Sequence, residues 1–387
     1  MQTKISKKIF KMHKILLLLI CIFLIFLLET PCLASSQEEE TGRYIITDTL
    51  SSEIEDYAQT IFQTLDVNDF RYLNLTVSLE NVKLSKGFKV TMQTSQEYEK
   101  FYFPILDGEN VIATLIINDI EGELSFILLR DEVTESINNL ESTKEAPAEI
   151  IVSDYAVYAV TDDSVAVLGE DFYSDENTVL NEIDTLQSEA ASYTEDVILS
   201  ICSQNVYDVE LDTISTVSVV GRSCDNFPIV ANKSVNGSGT CWASCTAAII
   251  EYINNGSSST SSSAAEIRDE ILTSQTSGNI NDAKSYIKSY TGESLSKKTT
   301  YLSWSALKKQ ILSKDNPCYM RLKNTATSKY HATVLVGYDY NNSDDSDYRM
   351  YIMDPNITTG WVKTSYGSTY TASYGSVYSW VATLYKS

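Results

Sequence analysis

Histidine is nearly absent from this chain, with two in 387 residues. His13 lies in a basic and then apolar N-terminus of the kind that is cleaved off. His331 would then be the single imidazole of the mature protein, and any imidazole chemistry has to run through it. Basic residues are also scarce, 29 Lys+Arg against 52 Asp+Glu for a net charge of −23. Nucleic acid is excluded as a partner, because phosphate contacts need clusters of Lys and Arg. The one long apolar run, Ile15 to Leu28, has 14 residues, short of the about 20 that a spanning helix needs. Cysteine is too sparse for a disulfide scaffold. Cys21 and Cys32 go with the leader, leaving Cys202, Cys224, Cys241, Cys245 and Cys318. An odd number in an exported protein flags a free thiol. With Cys241 set aside, the other four could pair in any of three ways.

The ends and the charge divide the chain. Lys4, Lys7, Lys8, Lys11 and Lys14 precede the apolar run, and Pro31-Cys32-Leu33-Ala34 follows it. This is the pattern of a signal peptide cut after Ala34. Glu29-Thr30-Pro31 lacks the small residues that a lipoprotein signal would place before Cys32. The expectation is a secreted protein, extracellular or held at the cell surface, with no membrane attachment once the leader is gone. Residues 35–225 carry 39 acidic against 9 basic residues, net −30, and residues 226–387 carry 12 against 15, net +3. So sharp a change predicts two units with different jobs.

The acidic half reads as α+β. Ile54, Tyr57, Ile61 and Leu65 lie near helical spacing. Leu73–Val77, Gly87–Met92, Lys100–Leu106, Val111–Asn118 and Glu123–Leu129 are rich in β-branched and aromatic residues, as strands are. Residues 131–148 read as a polar connection, Ile150–Val160 and Ser164–Gly169 as further strands, and 175–202 as a helix. This half has no histidine, and its carboxylates are scattered, so it offers no catalytic constellation. After Arg222 the order is helices first and strands afterwards, which is again α+β. Helices are predicted from Cys241 to Ile253 with Gly256 as C-cap, from Ser263 to about Leu272, around Ile280–Tyr290, and around Trp304–Ile311. Ser-rich 257–263 reads as a loop. Strands follow at Cys318–Leu322, His331–Tyr340 and Arg349–Met353, with two or three more towards the end.

Three short segments carry chemistry. Cys241 opens a helix behind Asn236-Gly237-Ser238-Gly239. The free N–H groups and positive dipole end at a helix start favour thiolate over thiol. His331 opens a strand, from which an imidazole can reach a helix terminus and hold Cys241 as a thiolate–imidazolium pair. Asp354 begins a turn after another strand and can orient the second ring nitrogen. Asp344, Asp345 and Asp347 crowd a loop, but the spacing and glycine of an EF-hand are absent, so a solvated hairpin is expected. The tyrosines of the C-terminus could meet a sugar or cell wall, although aromatic alternation equally fits strand packing.

Gly-Thr-Cys-Trp-Ala at 239–243, His-Ala-Thr-Val-Leu-Val-Gly-Tyr at 331–338 and Tyr-Ile-Met-Asp-Pro at 351–355 together resemble papain-like cysteine peptidases. The likeness is to the compact bacterial secreted groups such as the staphopain, streptopain and C39-like peptidases, and it covers about residues 226–387. It implies Cys241 as nucleophile, His331 as base and acid, and Asp354 as the orienting residue. Asn356 is the fallback, since many of these enzymes use asparagine there. The family's oxyanion-hole glutamine would fall near Val235. Asn232 is the preferred substitute and Asn236 the alternative. The cysteine that forms a disulfide in the plant-type signature would fall at Ser238, so that bridge is absent.

The expectation is therefore a leader over residues 1–34, an acidic α+β propeptide over 35–222 and a papain-like domain over 223–387. Its function would be that of an endopeptidase made as a zymogen, acting on protein or peptide substrates through a thioester acyl-enzyme. It would need no cofactor and no metal. The N-terminal domain would be its intramolecular inhibitor, released by a cut within Asp212–Asp225. Because net charges of −30 and +3 attract only weakly, docking of the two should rest mainly on apolar contacts. The alternatives are an amidase or transglutaminase-like acyl transferase with the same three residues, and a non-catalytic surface protein on a papain-like scaffold.

Overall fold

A helix of 15 residues, Cys241–Asn255, is buried along almost its whole length. Its run of Ala, Ile and Cys leaves no polar face, which is the pattern of a helix packed on every side. Gly256, at φ 53°, ends it, in backbone that a side chain would strain. Helices Ser261–Ser274 and Ile280–Thr291 pack against it. Gly278 lies so close to Trp242 of the central helix that a Cβ there would come within 2.7 Å of the indole ring. The fourth helix, Trp304–Lys314, stops at left-handed Asp315, two residues before Pro317.

The computed structural model describes residues 43–387 except 95–97, 145, 154–155, 162–163, 171–180, 184, 187–196, 210, 212–218, 236–238, 342–345 and 373–374. The leader assignment, Asn236, Ser238, Asp344 and Asp345 lie outside the described residues. Among those described, no helix is long and apolar enough to cross a membrane.

The C-terminal strands form an antiparallel sheet in which Ser296–Lys298, Val377–Tyr385, Cys318–Asn324, Tyr330–Asn341, Ser346–Met353 and Val362–Ser365 neighbour one another in that order. The sheet continues into the acidic half. Lys363 and Thr364 pair with Leu128 and Ile127 of strand Glu123–Leu129, which pairs with Asn110–Ile120 and then Glu99–Asp107. A second sheet, belonging to the acidic half, contains Ala148–Ser153, Ala156–Val160 and Val165–Glu170. The whole is mixed α+β, as the element order predicts.

Several local expectations need correction. Leu73–Val77 is not a strand: Asp66 and Asp69 form a capping box that starts a short helix, Val67–Tyr72, and the chain turns after it through left-handed Asn74. The polar connection holds a helix, Glu132–Asn138, because Asp131 caps it. The stretch 175–202 ends in a strand, Val197–Ser200. The Ser-rich segment is mostly helical, since Thr260 rather than Ser263 is the N-cap and accepts the Ser263 N–H.

The two halves do not meet through apolar contacts alone. An apolar core does run across the junction, from Tyr102, Ile116 and Ile127 to Val362 and Tyr370. To it the fold adds the strand ladder and a buried ionic cluster that net charge cannot reveal. Lys363 Nζ lies 2.7 Å from Asp69 of the acidic half and 2.7 Å from Asp339 of the other. The Tyr351 hydroxyl is within hydrogen-bond distance of both carboxylates, 2.9 and 2.6 Å. Glycines let the backbones approach: a Cβ on Gly360 would fall 2.6 Å from the Leu73 Cα, and one on Gly375 2.8 Å from the Ser153 oxygen.

Candidate active site

Cys241, His331 and Asp354 come together although 90 and 23 positions separate them in sequence. The central helix delivers Cys241 at its first residue. His331 is the second residue of strand Tyr330–Asn341, and Asp354 directly follows strand Ser346–Met353, two neighbours in the sheet. The apolar helix packs against the His331 strand, so burying it sets the thiol beside the imidazole.

His331 Nε2 and Asp354 Oδ1 are 2.8 Å apart, with both side chains almost fully buried. The other ring nitrogen, Nδ1, is thereby left for the Cys241 side. Burial alone would lower the basicity of His331. The Asp354 charge and hydrogen bond, and then the hydrogen bond and charge of Cys241, more than reverse this and hold the imidazole well above its ordinary value. Burial likewise pushes the Asp354 carboxyl up. The His331 charge and the hydrogen bonds from His331, the Asn356 N–H and the Tyr370 hydroxyl outweigh burial and keep it below the usual carboxylate range. Asp354 and Cys241 thus both favour the charged form of the imidazole. Opposite charge and hydrogen bonds can hold such a pair ionised where burial would not.

Asn356 does not take the orienting place. Its N–H donates to Asp354 Oδ1 at 2.9 Å, and its side chain accepts from Asn232 Nδ2 at 2.8 Å. Asn232 ties the two loops of the site together. Its N–H donates to the Pro355 carbonyl at 2.7 Å, and its Oδ1 accepts the N–H of Thr240, the residue before the cysteine, at 2.9 Å. One Nδ2 hydrogen is spent on Asn356, and the second has no protein partner among the described residues. Thr240 gives the helix no side-chain cap, because its hydroxyl bonds the Lys233 carbonyl.

Two residues that sequence reading did not single out complete the surroundings. Tyr370 donates its hydroxyl to Asp354 Oδ2 at 2.8 Å, and the Tyr378 ring lies 5.6 Å from the His331 ring. Both belong to the Tyr-rich C-terminus, where strand alternation gave no reason to prefer one tyrosine over another. The remaining cysteines are free rather than paired. Burial pushes the thiols of Cys224, Cys245 and Cys318 up, which leaves them poor nucleophiles. Among the described residues, no three His, Cys, Asp or Glu side chains gather as a metal site would require.

No curated protein matches the chain. Residues 224–383 do match a family model, that of the Peptidase_C39 like family. The match begins where the acidic half ends and includes all three residues of the candidate site. Residues 224–383 thus belong to the Peptidase_C39 like family and form a papain-like cysteine peptidase domain.

Proposed function

We propose that this protein is a secreted cysteine endopeptidase made as a zymogen, with Cys241, His331 and Asp354 as its catalytic residues. The observation that carries the reading is the 2.8 Å contact of His331 Nε2 with Asp354, on an imidazole whose basicity the neighbouring Cys241 also raises. The Cys241 thiolate attacks the peptide carbonyl carbon, and the carbonyl electron pair moves to oxygen. The Cys241 N–H and the unspent Asn232 Nδ2–H are suited to receive that oxyanion. Collapse breaks the C–N bond, and the His331 Nδ1 proton goes to the leaving amine. The thioester remains. Neutral His331 then takes a proton from water as the water oxygen attacks the thioester carbonyl, releasing the acid and restoring thiolate and imidazolium. Asp354 holds the ring and its charge throughout.

Contacts near the site support the zymogen reading. Tyr98 and Lys100 of the acidic half bond the carbonyls of Gly375 and Ala372 at 3.0 and 3.1 Å. That loop lies between Tyr370 and Tyr378, which touch Asp354 and His331. An acidic half docked there can govern how the two tyrosines are set. Strand Val219–Ser223 is paired with the His331 strand, and the maturation cut is expected within Asp212–Asp225.

The test is a purified full chain treated with an epoxide or fluoromethylketone thiol probe, with its products read by mass spectrometry. Expected are label on the Cys241 peptide alone, hydrolytic peptide products, and no turnover or self-processing in Cys241→Ala or His331→Ala, both still folded. Asp354→Ala should keep a remnant of activity. Transfer or side-chain deamidation products without peptide cleavage would favour the acyl-transferase or amidase. Equal label on Cys318 or Cys245 would end the assignment, and full activity of the uncut precursor would end the zymogen reading.

A further inference from the structure

A cavity of about 680 Å³ opens where the two halves join, away from Cys241. One wall is Tyr98, Asn118 and Ser125 of the acidic half, and the opposite wall includes Thr369, Thr371 and Val377. It exists because the joining ladder is short. Strands Val362–Ser365 and Glu123–Leu129 pair only at Lys363–Leu128 and Thr364–Ile127. Beyond that, Ser365 and Thr364 bond Phe126 with their side chains, and the chains part.

Asn118 is the unusual feature of its wall. The side chain is fully buried, and among the described residues neither its carboxamide oxygen nor its nitrogen has a hydrogen-bond partner. Leaving a buried amide unsatisfied is costly, and such groups in native proteins call for a partner that completes them. The cation directly across the ladder, Lys100, is turned to the Ala372 carbonyl instead. Thr371, a residue 5% exposed, also lines this space.

The lining says what the occupant is. Among the described residues its charged lining is Glu121 and Glu123, so an anion would be repelled. The remaining polar groups are mostly hydroxyls, with tyrosine rings beside them. The carboxamide needs a ligand group that presents a donor and an acceptor side by side. We propose that this cavity is a ligand site for a small uncharged sugar bearing an acetamido group, whose N–H and C=O complete the Asn118 carboxamide. Its volume lies within the roughly 300–1,000 Å³ typical of small-molecule sites. Strand alternation connects it to the active site. Thr369 and Thr371 line the cavity while Tyr370 between them bonds Asp354, and Val377 lines it while Tyr378 packs on His331. The site does not depend on the peptidase reading.

The experiment is calorimetric titration of the full chain carrying Cys241→Ala with N,N′-diacetylchitobiose, with cellobiose and a capped neutral tetrapeptide as comparisons. Expected is saturable one-to-one binding of the acetylated sugar, weakened about tenfold or more by Asn118→Leu and by Thr371→Val. Without ligand, Asn118→Leu should melt no lower than its parent, because it removes an unpaired buried amide. Equal binding by Asn118→Leu and its parent would overturn the proposal. So would no saturable binding of the acetylated sugar, or preference for cellobiose or the tetrapeptide.

Discussion

Replacing Lys363 with methionine keeps the bulk of the side chain and removes the cation that lies 2.7 Å from both Asp69 and Asp339. All three groups are almost fully buried. In the variant, the two carboxylates would share a low-dielectric pocket with one Tyr351 hydroxyl, whose single proton can serve only one of them at a time, and with Arg349, which lies 4.0 Å from Asp339. Removing one partner of a buried ion pair costs about 3–5 kcal/mol, and for large domains each kcal/mol moves the melting midpoint by roughly 2–4 °C, so the expected fall is about 6–20 °C at pH 7. The sign with pH follows from the same pocket. Burial already raises the Asp69 carboxyl, although Lys363 opposes it. Without Lys363 the folded-state values of both acids rise. The penalty is then complete above those raised values and shrinks as pH falls through them towards the ordinary carboxylate range. Adding Asp69→Asn to Lys363→Met should recover much of the loss, while Asp69→Asn alone should cost less, because the Lys363–Asp339 pair survives. The assay is thermal unfolding of the full chain in the Cys241→Ala background from pH 4 to 8, with a protease-susceptibility readout for separation of the halves. A loss below about 1 kcal/mol, or one that does not change with pH, would refute the view that this cluster fastens the halves.

Tyr370→Phe removes one of the hydrogen bonds on the Asp354 carboxylate, a charge-assisted bond worth about 1.5–3 kcal/mol. A fall in kcat of about 10-fold to 100-fold is expected, together with an upward move of the acid limb as Asp354 becomes easier to protonate; an unchanged pH profile would make Tyr370 a packing residue only. Asn232→Ala should lower kcat by about 10²–10³ with little change in KM, and parallel losses in kcat and stability would show that its bonds to Thr240 and Pro355 matter more than an oxyanion contact. His331 is raised above its ordinary value, so its contribution to stability should be full below about pH 6.5 and be lost as pH rises through the raised value. Asp354 is lowered, so its contribution should be full above the ordinary carboxylate value and be lost as pH falls through the lowered one; urea midpoints of Asp354→Asn against parent across pH 3–10 check both limbs.

The elements that bear the candidate site were legible from local pattern. Cys241 begins an apolar run with a glycine stop, His331 opens an apolar strand, and Asp354-Pro355 closes another. Helical period, strand composition and turn chemistry are properties of neighbours in sequence, and they survive in the fold. Short capped segments were harder to read, because Asp66, Asp131 and Thr260 start helices through single side-chain bonds that leave little periodic trace. Partnership across the chain could not be read at all. Nothing near Tyr370 indicates that its hydroxyl ends on Asp354, and nothing in charges of −30 and +3 indicates that Asp69 and Asp339 share Lys363. Nor does sequence indicate that Asn118 lacks a partner. Those outcomes depend on which strand edges meet and on which groups lose water when they do. Sequence alone set the residue types available for chemistry, above all two histidines, of which His331 lies among the described residues. The tertiary structure decided their distances and burial, because hydrogen bonds and desolvation act between residues that only packing brings within reach.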